Sequence, residues 1–227
     1  MKVTIAKRIL KDNDAIAEKN REIFKNADLL AVNFISSPGS GKTTLLEKTI
    51  SALLPEQKTT VIVGDLQTTR DADRLESNAL DVVQINTGMS CHLYANQVTE
   101  SLSGLNVNEA DYLFIENVGN MVCPGEFDLG ENIKVVLLSI PEGDDKVAKY
   151  PTVFRAADIV LLTKVDLLGV LNFDIDHVVS DIRKLNSKVE IVHVSSLNGE
   201  GMSQWVSWLK SKRQESVGKK AKFIADV

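Results

Sequence analysis

The chain of 227 residues is short of the features that mark most specialised protein classes. Its two cysteines, Cys91 and Cys123, are too few for a disulfide scaffold; in a reducing compartment they read as thiols or metal ligands. No apolar run approaches the length needed to cross a bilayer, and the N-terminus meets Lys7 and Arg8 too soon to lead into a signal-peptide core. The expected location is therefore cytoplasmic, with no membrane partner. Basic residues do not dominate: 26 Lys and Arg face 31 Asp and Glu, and the net charge of −5 argues against nucleic acid as a partner. Internal repeats and low-complexity linkers are also missing.

What remains is ordinary globular composition, 44% apolar and 25% charged. The length suits one domain over residues 1–227, with an N-terminal helical extension over 1–28 and a flexible, lysine-bearing tail over 213–227. Residues 11–27 carry Ile16, Ile23 and Phe24 at helical spacing and predict a helix packed on the body. Apolar runs then recur at 30–35, 60–63, 81–85, 112–115, 135–140, 159–163 and 190–194, separated by helical patterns. Runs rich in Val, Ile and Leu in that arrangement predict an α/β fold, a mostly parallel sheet with helices on both faces. Ligands of such sheets collect beyond the carboxyl ends of the strands.

Between the first run and the helical pattern at 43–54 lies Ser36-Ser37-Pro38-Gly39-Ser40-Gly41-Lys42-Thr43. A glycine-rich turn from strand into helix points backbone N–H groups inward and adds a helix N-terminus, a cradle for nucleotide phosphates. Ser37, Pro38, Gly39, Ser40, Gly41 and Thr44 belong to that cradle, Lys42 reaches the outer phosphates and Thr43 the magnesium ion. The general motif has Gly at both ends of the loop, and Ser36 stands in the first of those places. The fold is accordingly that of a P-loop NTPase.

Two later strand ends carry acids. The run at 60–63 leads to Gly64-Asp65 and that at 112–115 to Glu116-Asn117-Val118-Gly119, so Asp65 and Glu116 are candidates to hold magnesium and serve hydrolysis, with Asp71 and Asp73 weaker ones. The Glu116-x-x-Gly119 spacing resembles the switch of GTPases, in which the glycine N–H senses the terminal phosphate. Thr163-Lys164-Val165-Asp166 resembles their Asn-Lys-x-Asp base-reading motif: a carboxylate at Asp166 accepts from the guanine ring N–H and amine, and the Lys164 stem packs on the purine. Thr163 lacks the amide that ties that loop in place. Ser195-Ser196-Leu197, after the last strand, sits where a backbone donor meets the guanine oxygen. In this order the elements favour GTP over ATP.

Cys91-His92 and Cys123 form a third group. Two thiols and an imidazole suit zinc or nickel. Spacing alone is equally compatible with two inert, packed cysteines and a helix-capping histidine. Location favours the metal, because Cys123 follows the Glu116-x-x-Gly119 segment by a few residues and a ligand there would move with the phosphate sensor.

The combination of the phosphate loop, Gly64-Asp65, Asn86-Thr87-Gly88 before Cys91-His92, Glu116-Asn117-Val118-Gly119-Asn120 before Cys123-Pro124, Glu142-Gly143-Asp144-Asp145-Lys146 and Thr163-Lys164-Val165-Asp166-Leu167 closely resembles HypB, the GTPase family that assists nickel insertion into [NiFe] hydrogenase. Ser36 agrees with that family. The resemblance implies a GTP-dependent homodimer with Cys91, His92 and Cys123 of both copies at a shared nickel or zinc site. It places Leu167 and Leu171 in the dimer contact and directs Lys149 toward the partner's nucleotide. It also implies a HypA-type nickel chaperone and the hydrogenase large-subunit precursor as partners; no arginine is obviously placed as a finger, so slow intrinsic GTP hydrolysis is expected. The chain has neither a cysteine-rich N-terminal motif nor a histidine-rich stretch; His92, His177 and His193 are its histidines. The related UreG GTPases of urease maturation carry a Cys-Pro-His motif, whereas Cys91-His92 and Cys123-Pro124 are separate here. A small-molecule kinase would not need Asp166, and a metal-storage module would not turn over GTP.

Overall fold

The computed structural model describes the backbone of residues 2–65 and 70–225 and the side chains of residues 10–65 and 70–217. The seven strands are β1 (Leu30–Ser36), β2 (Thr59–Asp65), β3 (Asp81–Asn86), β4 (Tyr112–Glu116), β5 (Ile133–Ser139), β6 (Ile159–Thr163) and β7 (Glu190–Val194). They form one sheet in the order β3-β2-β4-β1-β5-β6-β7, and every pair is parallel. The helices that return the chain are α1 (Lys2–Asn26), α2 (Lys42–Leu53), α3 (Arg70–Leu75), α4 (Ala95–Ser101), α5 (Lys146–Lys149), α6 (Pro151–Ala156), α7 (Ile175–Leu185) and α8 (Met202–Ala225).

Alternation along the central strand explains the layering, because successive side chains of a strand enter opposite faces. Leu30, Val32 and Phe34 pack with Leu46 and Ile50 of α2 and with Trp205 and Leu209 of α8. Ala31 packs instead with Phe24 of α1 and Val98 of α4, and Ile35 with Phe154 of α6 and Ile182 of α7. Both faces are covered, which is why the strands read as nearly continuous apolar runs. The strand ends also explain the site: β2 closes on Asp65 and β4 on Glu116, both at the edge where β1 passes into the Ser36–Lys42 loop.

Two expectations need correction. The run at 135–140 shifts to β5, because Ile140 starts a 3₁₀ turn, Ile140–Glu142, whose first turn contains Pro141. The segment from 213 expected as a flexible tail continues α8 to Ala225, and Arg213 is buried with its guanidinium 3.1 Å from Asp28 and 3.5 Å from Asp111. Side chains beyond Val217 lie outside the described residues. His193 on β7 is half-buried, and His177 is exposed with Asp181 3.4 Å away.

Helix α1 is held by polar grips as well as by Phe24. Asn13 Nδ2 donates to the Asp128 carbonyl at 2.7 Å, and its Oδ1 accepts from the Ala95 N–H at 2.9 Å. Fully buried Asn20 donates to the carbonyls of Ala95 and Leu129 at 2.9 and 3.0 Å and accepts from the Thr99 hydroxyl at 2.6 Å. A buried polar group stripped of its partner costs about 1–3 kcal/mol. Asn20→Ala should therefore lower the urea midpoint by a corresponding amount while the slope of the transition stays unchanged.

Candidate nucleotide and metal sites

Beyond β1 the chain turns through Pro38 and Gly39 and enters α2 from Gly41, whose φ of 92° is in the left-handed region. That geometry favours glycine and aims the first amides of α2 into a cavity of about 500 Å³. Pro38, Gly39, Gly41, Lys42, Thr43, Thr44, Asp65, Glu116, Gly119 and Lys164 all line it, so residues predicted from four separate segments meet. Ser37 lies at the base of the turn, its carbonyl accepting from the Ser40 hydroxyl at 2.8 Å. Gly119 lies so close to the loop that a Cβ there would come within 3.0 Å of Pro38.

The charges in this cavity are unusually buried. Lys42 Nζ donates to Ser36 Oγ at 3.0 Å, so the serine in the first motif position holds the lysine along its own loop. Burial pushes the Lys42 pKa down, with Glu116 the main opposing influence. Thr43 Oγ1 donates to Glu116 Oε1 at 2.8 Å, whereas Glu116 Oε2 is buried with no hydrogen-bond partner. Loss of solvent raises the Glu116 carboxyl to about 7, against the pull of Lys42 and Thr43. An uncompensated carboxylate oxygen beside a threonine hydroxyl is what a magnesium site offers before the cation arrives, and Asp65 stands at the next strand end.

Sequence reasoning missed Arg74. It lines the same cavity from α3 and donates to Thr44 Oγ1 at 3.0 Å and to the Glu47 carboxylate, whose hydrogen bond raises the guanidinium pKa. Its helix is six residues long and carries little periodic signal. Glu142 was also passed over as to role: Oε1 accepts from the Ser40 hydroxyl at 2.7 Å and from Ser139 N and Oγ at 3.0 and 2.8 Å, bracing the phosphate loop.

A second cavity, of about 410 Å³, adjoins the first through Gly41, Thr44 and Lys164. Thr163, Asp166, Ser196 and Leu197 complete its predicted lining, with Lys48 added. Lys164 takes a left-handed φ of 59°, and its Nζ donates to the Gly39 carbonyl at 2.7 Å. Thr163, expected to leave the loop untied, donates from Oγ1 to the Ser40 carbonyl at 2.9 Å and thus supplies the tie itself. Ser195 Oγ donates to Asp166 Oδ1 and accepts from Leu197 N, orienting the carboxylate and the following turn together.

Cys91, His92 and Cys123 are brought together as predicted, with one donor atom of each within 4.8 Å of the others. The two sulfurs are 3.0 Å apart, and His92 Nδ1 is 3.8 Å from Cys91 Sγ. The imidazole is buried against Phe127, stacked at 4.0 Å between ring centres, and against Tyr94 at 4.4 Å. Burial lowers the His92 pKa and so favours the neutral, metal-ligating ring. The adjacent Cys91 thiol, and then burial, raise the Cys123 thiol; two thiols this close resist becoming two thiolates unless a cation joins them. Lys149 is not gathered into either cavity: it is exposed on α5 and ion-paired with Asp145. Leu167 packs partly on the core of its own chain, whereas Leu171 is exposed beside Val170. Among the described residues no helix is long and apolar enough to cross a membrane.

Comparison with known proteins agrees with this geometry. The family model described as CobW/HypB/UreG, nucleotide-binding domain, matches residues 30–193. The hydrogenase maturation factor HypB of Escherichia coli strain K12 is 46% identical over 205 residues, 90% of this chain and 71% of the relative. The hydrogenase/urease maturation factor HypB of Helicobacter pylori is 42% identical over 218 residues, 94% and 89% of the two chains. The crystal structure of HypB from Helicobacter pylori in complex with nickel superposes with a TM-score of 0.86 over 90% of this chain and 96% of that one, at 42% identity. HypB from Archaeoglobus fulgidus gives 0.84 over 90% and 100%, at 37% identity. A glycine-rich loop opening at Ser36, an adjoining cavity lined by Lys164 and Asp166 and a Cys-His-Cys cluster thus occur on a seven-stranded sheet of the fold these proteins share, and the chain belongs to the HypB family of hydrogenase maturation factors.

Proposed function

We propose that this protein is a GTP-hydrolysing nickel metallochaperone of [NiFe] hydrogenase maturation, in which the nucleotide state alters a metal site shared by two copies of the chain. One observation carries the reading. Glu116, in the phosphate cavity, and Cys123, 3.0 Å from Cys91 in the metal cluster, lie on one short segment of chain. The nickel complex of the Helicobacter pylori relative supports nickel as the cargo, with zinc a competitor at thiolates.

In this reading Lys42 and the amides of the Ser37–Thr44 loop hold the triphosphate, and Asp166, Lys164 and the Ser195-Ser196-Leu197 turn select guanine. Thr43, Glu116 and Asp65 are the residues that hold magnesium, and the unpartnered Glu116 Oε2 supports the fit. Bound there, the cation neutralises charge on the outer phosphate oxygens. Asp65 and Glu116 orient the attacking water, whose oxygen bonds to the γ-phosphorus as the bond to the β–γ bridging oxygen breaks. GDP leaves with that oxygen, and the water's protons pass to phosphate and solvent. Gly119 loses the phosphate it contacted, segment 117–123 relaxes, and Cys123 moves relative to Cys91 and His92. Arg74 is occupied by Glu47 and Thr44, which accords with slow intrinsic hydrolysis.

Three donors fall short of a tetrahedral set, so a second copy of the chain completes the site. Leu171 with exposed Val170, and the free side of Leu167, form the apolar contact, and Lys149 reaches toward the partner's nucleotide. A HypA-type chaperone supplies nickel and the hydrogenase large-subunit precursor receives it, in the cytoplasm.

Lys42→Ala should weaken GTP binding about 100-fold or more, read with a fluorescent GTP analogue, because it removes a charge-assisted contact from a buried cavity. Undiminished affinity in that variant would sink the phosphate-loop role. Asp166→Asn should erase most of the preference for GTP over ATP, a factor of about 100 in competition titration; an unchanged ratio would move guanine selection elsewhere.

The Glu116 carboxyl gives a pH dependence. Its folded pKa of about 7 lies above the unfolded value of 4.5, so between these limits the folded protein binds the extra proton. Its contribution to stability is fully present below the lower limit and is lost as pH rises through about 7. In nucleotide-free protein, urea midpoints should fall more steeply from pH 5 to pH 7 than those of Glu116→Gln; parallel profiles would refute the assignment.

A further inference from the structure

The link between the two sites is the least obvious part of the molecule. Cys123 is joined to the nucleotide cavity by continuous chain, but His92 and Cys91 lie on the separate loop after β3. We propose that Leu93, its main-chain N–H gripped by Asn117 and its side chain seated on Gly64, is the residue through which the nucleotide site positions the His92 arm of the metal cluster. The proposal rests on the functional reading above and assigns its regulation to named residues.

Asn117 directly follows Glu116 and is only 1% exposed. Its main-chain N–H donates to Phe34 on β1 at 3.1 Å, tying it to the strand that becomes the phosphate loop. Its Oδ1 accepts from the Leu93 N–H at 3.2 Å and from the Val118 N–H at 3.0 Å. Its Nδ2 donates to Asn33 Oδ1 at 3.2 Å, and Asn33 in turn donates to Glu131 Oε1 at 3.1 Å. Glu131 Oε2 accepts from Leu129 N at 2.7 Å, so the rear of the chain is anchored. The front end of this chain of contacts holds the residue after His92.

Gly64 provides the second grip. A Cβ at this position would meet three Leu93 side-chain atoms at 2.9 to 3.0 Å, so the leucine lies flat on the end of β2, one residue before Asp65. Leu93 is thus clamped between the ends of the two strands that carry Asp65 and Glu116. Asn120 extends the connection, donating from Nδ2 to the Cys91 carbonyl at 3.2 Å while its Oδ1 accepts from Val122 N at 3.0 Å. Both loops of the cluster are consequently pinned to segment 117–122.

Small movements suffice in such an arrangement. A 3.2 Å hydrogen bond is lost after a shift of a few tenths of an ångström, and a buried N–H left without a partner costs about 1–3 kcal/mol. The Leu93 amide therefore follows Asn117 rather than releasing it, and the adjoining His92 ring, confined by Phe127 and Tyr94, changes its distance to the thiols.

The test is a nickel titration of the full chain, followed by thiolate charge-transfer absorption, with GDP and then with a non-hydrolysable GTP analogue. The readout is the ratio of the two nickel affinities, which a uniform loss of affinity leaves unmoved. Linked sites typically couple about 5–150-fold, and Asn117→Ala and Gly64→Ala should each bring the wild-type ratio close to one. Gly64→Ala removes no side-chain hydrogen bond and displaces Leu93 directly, so it carries the test if Asn117→Ala fails to fold. A wild-type ratio retained in the folded variants overturns the proposal while leaving the functional reading intact. A wild-type ratio of one overturns the functional reading and this proposal with it.

Discussion

The structure turns on one buried carboxylate. Glu116 ends the strand next to β1, within the field of Lys42, with one oxygen on Thr43 and the other unsatisfied. Neither group would be chosen for stability alone, since removing a lysine and a carboxylate from water costs several kcal/mol per ion before their attraction is counted. The parallel sheet makes the arrangement tenable: β1, β2 and β4 lie side by side, and their carboxyl ends bring Ser36, Asp65 and Glu116 to one edge. The apolar layers on both faces supply the folding free energy that such an edge lacks. A ligand with concentrated negative charge and a divalent cation would complete both sets of partners, so the buried charges of this edge and the proposed chemistry point the same way.

Much of this was legible in the residues, for identifiable reasons. Strand β6 begins and ends where its apolar run does, since a strand buried on both faces has no polar positions to blur its limits, and the edge strand β7 keeps the limits of its run although Glu190 is exposed and His193 half-buried. The phosphate loop was legible because Gly, Lys and Thr have backbone and charge roles that few other residues can fill. Ser36 broke the general motif, yet the structure gives it a task, accepting from Lys42. Thr163 misled in the other direction: a missing amide suggested a missing tie, but a shorter hydroxyl spans the gap because the loop carbonyl of Ser40 lies within 2.9 Å.

The illegible parts were those whose meaning depends on partners far away in sequence. Asn33 is an isolated polar residue in an apolar strand, and only its contacts with Asn117 and Glu131 explain it. Arg74 sits on a helix of six residues, too short for a face to be read. The spacing of Ile16, Ile23 and Phe24 predicts only that helix α1 packs on the body, whereas Asn13 and Asn20 also hold the start of α4 and the 128–129 loop. Those contacts fix the chain just after His92, at Ala95, and just after Phe127, at Asp128. The continuation of α8 through Arg213 escaped because lysine-rich composition looks like a solvated tail, whereas Arg213 finds Asp28 and Asp111 in the loops before β1 and β4.

The same dependence on distant partners bears on why a switch would use this edge at all. The cluster itself is a compact donor set with one buried imidazole and two thiols, and a cation could bind it without any nucleotide. Making affinity conditional requires that the donors come from elements that respond differently to the phosphate cavity. Cys123 is continuous with the Glu116 strand, whereas Cys91 and His92 sit on the loop after β3, whose strand lies at the far edge of the sheet. With donors on two arms, a displacement of one arm changes the distances within the set; with donors on one arm it would carry them all together. Leu93 and Asn120 prevent the arms from drifting freely, so that displacement is transmitted rather than absorbed. A donor set divided between two loops and cross-braced by buried Asn117 and half-buried Asn120 would therefore suit the proposed reading of the nucleotide, in a way that the same three donors on a single helix would not.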